Sequence, residues 1–333
     1  MMTQVVRFHE FGGPEVLRFE SLEAGEPGAG EVRVRIEAIG LNRAEAAFRS
    51  GRYIEKAQLP ARLGYEAAGI IEALGKEVKG FSVGEPICVF PAFSMNRYGV
   101  YAERAIVPSS ALLKRPAGLG VQESASIWMQ YLTAYGALID IAKIGAGDAV
   151  IITAASSSVG IAAIQIANHV GAVPIAVTRT AAKEAGLRTI GAAHVIVTEK
   201  QNLETEVLRI TGGKGAKVAF DPIGGPIVAA LAAAMAPGGW LILYGNLSGQ
   251  AQNTLFPFGP SAMKGFGMRG YLVFEIIHDL QRFERARAFV EEGLRARWLT
   301  PIIAKTFPFD QIVEAHRYME ANEQIGKVIV TVP

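Results

Sequence analysis

The spacing of hydrophobic positions changes near residue 122 and divides the chain into two regions. Before this point, short apolar stretches such as Glu31 to Ala38 alternate charged with apolar residues and are separated by turns rich in Gly and Pro. After it, apolar positions recur with helical spacing from Glu123 to Ile144, and strand-like and helix-like segments then alternate. The first pattern predicts a barrel-like β domain and the second a doubly wound parallel sheet.

One helix is predicted inside the β region, from Asn42 to Gly51. Asn42 is suited to capping the start of this helix and Gly51 to ending it, and Tyr53 lies just beyond. The surrounding strands are predicted over Gly64 to Leu74, Gly84 to Pro91 and Gly99 to Val107.

The segment Asp148 to Thr180 predicts a strand, a tight turn, a helix and a second strand. The unpaired N–H groups at the start of such a helix bind phosphate when the residues around them are small. Here the turn and the helix start consist of Ala154, Ala155, Ser156, Ser157, Ser158, Val159 and Gly160. Because G-x-G-x-x-G is absent, the segment is compatible with dinucleotide binding and equally with an ordinary βαβ unit.

The remaining segments complete the predicted domain plan. Strands are expected at His194 to Val197, Lys217 to Phe220 and Trp240 to Tyr244, with helices between them. Gly270 to Phe274 predicts a sixth strand, and the tail is expected to return to the β domain. The predicted domains are therefore 1–122, 123–268, and a segment 269–333 that begins with the sixth strand.

Composition narrows the classes of function. The chain has 333 residues, a formal charge of +2 and one cysteine, Cys88. These values argue against nucleic acid as the main partner, an internal disulfide and a multi-cysteine metal site. Because the apolar runs are too short to span a membrane and a single cysteine fits a reducing compartment, we expect a soluble cytoplasmic protein.

A series of short motifs extends along nearly the whole chain: Phe11 to Leu17, Asn42 to Glu45, Arg49 to Tyr53, Gly64 to Gly69, Leu132 to Tyr135, Ala154 to Gly160, Asp221 to Gly225, Gly245 to Gly249 and Gly326 to Val328. In this order they resemble the medium-chain dehydrogenase/reductase superfamily and, within it, the zinc-independent quinone oxidoreductases related to zeta-crystallin. The resemblance implies an α/β protein with a GroES-like β-barrel catalytic domain and a Rossmann domain. Quinone reductases of this family usually carry two glycines where Ser157 and Ser158 stand, so the pyrophosphate contacts are expected to differ.

The residues disfavour a zinc site. Zinc alcohol dehydrogenases of this superfamily carry a Cys where this chain has Asn42 and a His where it has Tyr65. Catalytic zinc needs about three protein ligands, and the five histidines are widely spaced. We therefore predict no bound metal. Without a Lewis acid, conjugate reduction of a quinone or an enone is easier than alcohol–ketone interconversion.

The resemblance also implies candidate catalytic residues. Tyr53 matches the family's pocket tyrosine and is predicted to donate a hydrogen bond or a proton to the substrate, although a packing tyrosine at a turn has the same sequence signal. Asn42 is predicted to orient the substrate or the nicotinamide ribose, with a plain helix cap as the alternative. Thr133 is predicted to contact the nicotinamide side of the cofactor.

NADP(H) is predicted as the cofactor. An NAD site has an acidic residue after the second strand of the βαβ unit, whereas here Thr178 and Arg179 follow the strand and Lys183 lies one turn later. By resemblance the site also includes Asn42, Thr133, Asn246, Lys327 and the turn residues Ala155, Ser156, Ser157, Ser158, Val159 and Gly160.

We also expect a homodimer that pairs through the apolar edge strand Gly270 to Phe274, which a Val273→Lys change would weaken. Three alternative functions stay open: an enoyl-thioester reductase, a protein similar to zinc alcohol dehydrogenases, and a non-catalytic NADPH-binding protein.

Overall fold

The computed structural model describes residues 1–333 apart from the side chain of Gln252. The chain forms two compact units: unit 1 contains Met1–Met129 and Pro301–Pro333, and unit 2 contains Gln130–Thr300. Strands (β1–β16) and helices (α1–α11) are numbered in chain order below. Among the described residues, no helix is both long enough and apolar enough to cross a lipid bilayer.

Unit 1 is built from two β-sheets. Its strands are β1 (Met2–Phe8), β2 (Arg18–Glu23), β3 (Glu31–Gly40), β4 (Ala61–Arg62), β5 (Ala67–Leu74), β6 (Pro86–Val89), β7 (Arg104–Pro108), β8 (Leu112–Lys114), β15 (Ile303–Pro308) and β16 (Lys327–Thr331). The small sheet has the order β2-β1-β4, and the large one β15-β16-β3-β5-β6-β8, with β7 also paired to β3. Its helices are α1 (Arg43–Arg49), α2 (Val121–Ser124) and α11 (Ile312–Glu320).

The alternation along β3 accounts for its central place in unit 1. Val32, Val34 and Ile36 are completely buried, while the charged residues between them remain partly exposed. Successive side chains of a strand point to opposite faces, so one face of β3 packs into the core. The C-terminal strand β16 pairs antiparallel with β3, with Ile329 opposite Gly40.

Unit 2 is one parallel sheet with helices between its strands. The strands are β9 (Ala149–Ile152), β10 (Val173–Thr178), β11 (His194–Val197), β12 (Ala216–Asp221), β13 (Met235–Leu243) and β14 (Gly267–Gly270), in the order β11-β10-β9-β12-β13-β14. The remaining helices are α3 (Trp128–Tyr135, which begins in unit 1), α4 (Ser158–His169), α5 (Glu184–Ile190), α6 (Leu203–Ile210), α7 (Ile227–Ala233), α8 (Phe258–Lys264), α9 (Phe274–Ile277) and α10 (Leu280–Arg295). The strand order reverses between β9 and β12, which is where doubly wound sheets bind ligands. The predicted fold class is confirmed.

The units begin and end at different residues from the predicted domains. The change to helical spacing predicted a boundary at residue 123, but α2 packs on β3 and β5 and so belongs to unit 1. The segment 269–333 is also divided, because its first part belongs to unit 2 up to Thr300. There the Tyr271 hydroxyl donates to the carbonyl of Leu132, 3.3 Å away.

The sixth strand requires a correction. It covers Gly267–Gly270 rather than Gly270 to Phe274, and Phe274 begins the short helix α9. Tyr271 and Val273 are buried because they pack inside unit 2, not because they belong to a strand. A short apolar run in the sequence looks the same in both cases. Val273 precedes α9 and lies outside the edge strand, and a Val273→Lys change therefore does not test pairing through that edge.

Candidate functional site

The turn after β9 has the geometry of a phosphate-binding loop. Ala154 adopts a φ of 45°, which lets the chain reverse tightly after the strand. Ser157 caps α4, its Oγ accepting a hydrogen bond from the Gly160 N–H at 3.1 Å. A Cβ atom at Gly160 would lie 2.6 Å from the Ala155 carbonyl oxygen, so only glycine fits there. The backbone N–H groups at the start of α4 thus lie at the carboxyl edge of the sheet, where they favour an anion.

Two basic side chains, Arg179 and Lys183, follow the next strand β10, and Lys183 contacts the turn. The Lys183 ammonium donates to Ser156 Oγ at 2.9 Å. Arg179 follows β10, and its side chain is 79% exposed, with Glu199 at 3.9 Å as an ion-pair partner. Thr178 ends β10 and is buried. The structure therefore brings Lys183 to the predicted phosphate turn and leaves the Arg179 guanidinium accessible.

The contacts of Thr133 and Asn246 do not by themselves indicate a binding site. Thr133 is buried on α3. The Asn246 side-chain oxygen accepts a hydrogen bond from the Ala251 N–H at 2.8 Å and thereby holds the loop after β13. The prediction that these residues contact a cofactor stays a prediction.

A buried polar cluster connects Asn42, Glu45, Glu66 and Lys327 in unit 1. The Lys327 ammonium lies 2.6 Å from Asn42 Oδ1 and 2.6 Å from Glu66 Oε2. The second oxygen of Glu66 accepts from the Met129 N–H at 3.0 Å. Lys327 is 1% and Glu66 0% exposed. Two internal acceptors therefore hold the ammonium, and its position fixes the oxygen of the Asn42 side chain. The prediction that Lys327 contacts a cofactor stays a prediction.

This arrangement restricts what Asn42 can recognise. Its Nδ2 group donates to the Gly40 carbonyl at 3.0 Å and to Glu45 Oε1 at 3.3 Å, so both amide hydrogens are used. Lysine can only donate, so the Asn42 oxygen must face Lys327, and one lone pair of that oxygen stays available. Asn42 can accept a hydrogen bond from a hydroxyl group but cannot donate one to a substrate carbonyl. Asn42 occupies the N-cap position of α1, but its side chain makes no capping hydrogen bond; instead, its backbone N–H donates to the Glu45 carboxylate.

Glu45 was not identified as a functional residue from the sequence, although the spacing Asn42-x-x-Glu45 is that of a capping box. Complete burial raises the pKa of Glu45 to about 7, while the nearby Lys327 and the N–H groups of Tyr65 and Asn42 act in the opposite direction. The cluster holds two carboxyl groups and one ammonium, and a protonated Glu45 makes its net charge zero.

Tyr53 lies in the loop after α1 and is partly buried. Its ring contacts Phe48 edge-on, with centroids 6.1 Å apart, and Tyr65, with centroids 6.3 Å apart. Burial raises the pKa of Tyr53 to about 12, and the carboxylates of Glu45 and Glu55 act in the same direction. Tyr53 therefore keeps its proton at neutral pH and is available as a hydrogen-bond donor.

The donor set does not form a metal centre. In the described part of the chain, no three His, Cys, Asp or Glu side chains are grouped so that they could hold a metal ion. Asn42 and Tyr65 stand where zinc alcohol dehydrogenases carry a Cys and a His, and the Glu66 carboxylate is paired with Lys327.

His316 forms part of a second buried network in unit 1. The ring is 0% exposed, its Nδ1 accepts from Arg49 Nη1 at 2.8 Å, and its Nε2 lies 3.0 Å from the Tyr101 hydroxyl. Because Arg49 can only donate, Nδ1 carries no hydrogen and the ring is neutral. Burial lowers the pKa of His316, Glu320 opposes this effect, and the positive charges of Arg49 and Arg43 add to it.

This network predicts a dependence of stability on pH. The unfolded chain takes up a proton on His316 near pH 6.5, its ordinary pKa, before the folded protein does. The contribution of His316 is therefore complete above pH 6.5 and decreases as the pH falls towards the lower pKa of the folded state. A His316→Asn variant, which keeps an acceptor for Arg49, should show a shallower fall in unfolding free energy as the pH is lowered below 6.5.

Chemical denaturation at several pH values measures this slope. A variant of the exposed residue His278, His278→Asn, serves as the control and should behave as the wild type. Equal slopes for the wild type and His316→Asn would contradict the prediction.

Comparison with known proteins places these features in a family. Residues 28–117 match the family described as Alcohol dehydrogenase GroES-like domain, and residues 158–292 match the one described as Zinc-binding dehydrogenase. The 2-haloacrylate reductase of Burkholderia sp is 30% identical, with 99% of both chains covered. The human quinone oxidoreductase is 30% identical over 99% of this chain and 98% of its own.

A solved structure gives the same result. The Escherichia coli quinone oxidoreductase complexed with NADPH superposes with a TM-score of 0.91 at 25% sequence identity, covering 98% of this chain and 99% of the other. These similarities extend over both units. The chain therefore belongs to the medium-chain dehydrogenase/reductase superfamily of oxidoreductases, in its quinone oxidoreductase family.

Proposed function

We propose that this protein is an NADPH-dependent reductase of quinones or α,β-unsaturated carbonyl compounds that works without zinc. The observation that carries the proposal is Tyr53, a partly buried phenol whose ring is packed against Phe48 and Tyr65. Such a group can donate a hydrogen bond to the oxygen on which negative charge develops when a conjugated carbonyl is reduced. The names of the relatives, quinone oxidoreductase and 2-haloacrylate reductase, support the same class of acceptor.

NADP(H) fits the residues of unit 2. The turn before α4 offers backbone N–H groups for the pyrophosphate, and Lys183 and Arg179 offer charge for the 2′-phosphate. NADPH supplies a hydride when bound. The Escherichia coli relative forms a complex with NADPH, which supports this choice.

The residues of unit 1 are proposed to orient the nicotinamide ribose and to protonate the substrate. Tyr53 donates to the substrate oxygen and delivers its proton there. Asn42 accepts a hydrogen bond from a hydroxyl group, for which the nicotinamide ribose is the proposed source, and Lys327 holds its oxygen in place. Glu66 neutralises Lys327 and takes no part in the proton transfer.

Cofactor preference gives the first test of this function. Replacing both Arg179 and Lys183 with alanine should weaken NADPH binding by at least about tenfold, because a hydrogen bond to a charged group contributes roughly 1.5–3 kcal/mol. NADH binding should change little, since NADH has no 2′-phosphate. Titration of the wild type and the double variant with both cofactors measures the ratio, with the exposed residue Lys214 changed to alanine as the control. A wild type that binds NADH as tightly as NADPH would refute the assignment.

The absence of zinc from the mechanism is tested separately. The purified protein is expected to contain no stoichiometric zinc and to keep its activity in the presence of a chelator, because Asn42 and Tyr65 replace the expected ligands. Elemental analysis that found about one zinc per chain would overturn this expectation.

The substrate class is decided by turnover. NADPH oxidation measured against quinones, enones and enoyl thioesters should show activity with the first two. Preference for enoyl thioesters would favour the alternative reductase, and NADPH binding without turnover would favour a non-catalytic role. Assembly as a homodimer and a cytoplasmic location stay predictions.

A further inference from the structure

We propose that Glu199 is a specificity-determining residue for the cofactor: its carboxylate partly neutralises Arg179 and so competes with the 2′-phosphate of NADPH for that guanidinium. The inference deepens the proposed function and rests on it, because it names a residue that sets how strongly NADPH is preferred over NADH. Arg179 and Lys183 are the cations predicted from the sequence to set this preference, and Glu199 opposes them.

The backbone places Glu199 beside Arg179. The strands β10 and β11 are parallel neighbours, with Thr178 opposite Val197 at their carboxyl ends. Hydrogen bonding continues past these ends, because the Thr198 N–H donates to the Thr178 carbonyl at 3.0 Å. The Glu199 N–H then donates to the Arg179 carbonyl at 3.2 Å. Since the adenosine ribose of a bound dinucleotide lies at the end of the second strand of the βαβ unit, here β10, Glu199 borders the proposed 2′-phosphate site.

The two side chains form an open ion pair. The atoms Arg179 Nε and Glu199 Oε1 are 3.9 Å apart, and the side chains are 79% and 56% exposed. This distance is too long for a hydrogen bond, so the carboxylate acts on the guanidinium through its charge and takes up none of its N–H groups. Arg179 can therefore still donate to a phosphate, while the negative charge of Glu199 opposes the approach of that phosphate.

The neighbouring charges leave this effect to Glu199. Another acidic residue, Glu184, follows Lys183 in the sequence, but it is paired with Arg188 at 2.9 Å. The Lys183 ammonium donates to Ser156 in the turn before α4. NADH has no 2′-phosphate for Glu199 to repel. Glu199 is therefore expected to weaken the binding of NADPH more than that of NADH and to narrow the difference between the two cofactors.

Charge substitutions at position 199 test the inference with two unreactive probes. Adenosine 2′,5′-bisphosphate carries the 2′-phosphate and adenosine 5′-monophosphate lacks it, so their affinities do not depend on turnover. Glu199→Gln should strengthen binding of the bisphosphate by about two- to fivefold, the range for exposed charge pairs, and leave the monophosphate unchanged. Glu199→Lys doubles the change in charge and should square this factor, to about four- to 25-fold.

A double-mutant cycle tests the competition for Arg179. In an Arg179→Ala background, Glu199→Gln should have a much smaller effect on binding of the bisphosphate, because the guanidinium for which the carboxylate competes is absent. Glu292→Gln is the matched control. Glu292 is paired with Arg295 on α10, and their side chains are 54% and 77% exposed, close to the values for Glu199 and Arg179. This control should leave both affinities unchanged.

The outcomes separate this inference from the proposed function. If the wild type prefers the bisphosphate and Glu199→Gln leaves that preference unchanged, the NADPH assignment stands and the role of Glu199 is overturned. An equal effect of Glu199→Gln with and without Arg179 would also overturn it. If the wild type binds both probes equally but Glu199→Gln prefers the bisphosphate, the proposed cofactor preference fails and the role of Glu199 stands. If neither protein distinguishes the probes, both fail.

Discussion

Replacing Lys327 with methionine is expected to lower the free energy of unfolding of unit 1 by about 3–5 kcal/mol, the usual cost of removing one partner from a buried ion pair. The Lys327 ammonium lies 2.6 Å from Glu66 Oε2, and both side chains are almost completely buried at 1% and 0% exposure. Methionine fills most of the space but supplies no charge, so Glu66 would be left as an uncompensated buried carboxylate. Thermal and chemical denaturation measure the loss.

A matched ion pair provides the control for this experiment. Lys114 lies 2.6 Å from Glu85, the same distance, but its side chain is 66% exposed. Because solvent screens this pair, Lys114→Met should have little effect on stability. Adding Glu66→Gln to Lys327→Met should recover part of the loss, since glutamine keeps an oxygen for the Met129 N–H. If Lys327→Met cost no more than Lys114→Met, the buried pair would not have the proposed importance.

Replacing Tyr53 with phenylalanine is expected to lower kcat on an enone or an enoyl thioester by about 10²-fold or more, the range for a proton donor when proton transfer limits the rate. The effect on a quinone should be smaller, because water readily protonates the reduced quinone. Residual activity should persist in both cases, since holding the reactants in position contributes several kcal/mol independently of the phenol. NADPH affinity should be nearly unchanged.

Steady-state kinetics with the two classes of acceptor separate the possible roles of Tyr53. Tyr318→Phe, also in unit 1, removes a hydroxyl away from the proposed site and is expected to leave both activities intact. An equal loss on quinone and enone would make Tyr53 a residue that only positions the substrate. No loss on either would show that the site has been assigned wrongly.

The fold could be predicted well from local patterns. The alternation along β3, the capping residue Asn42 and the turn after β9 are encoded in neighbouring residues, and the structure has each element close to its predicted position. The sixth strand was misplaced because a buried apolar segment has the same hydrophobic pattern as a strand. Tyr271 and Val273 are apolar because they pack inside unit 2, and hydrophobic spacing alone does not separate that cause from membership in a strand.

The sequence by itself determined most of the strands and helices, the turn between β9 and α4 and the family of this protein, because these depend on periodicity and on motifs of adjacent residues. Only the tertiary structure decided which hydrogen-bond partners the individual side chains have. Lys327 reaches Asn42 across 285 positions because β16 pairs with β3 and places Ile329 opposite Gly40. That register also brings Lys327 to Glu66, an ion pair that the sequence analysis did not predict. It also leaves Asn42 able only to accept a hydrogen bond, since hydrogen bonds between distant residues depend on strand pairing that local patterns do not specify.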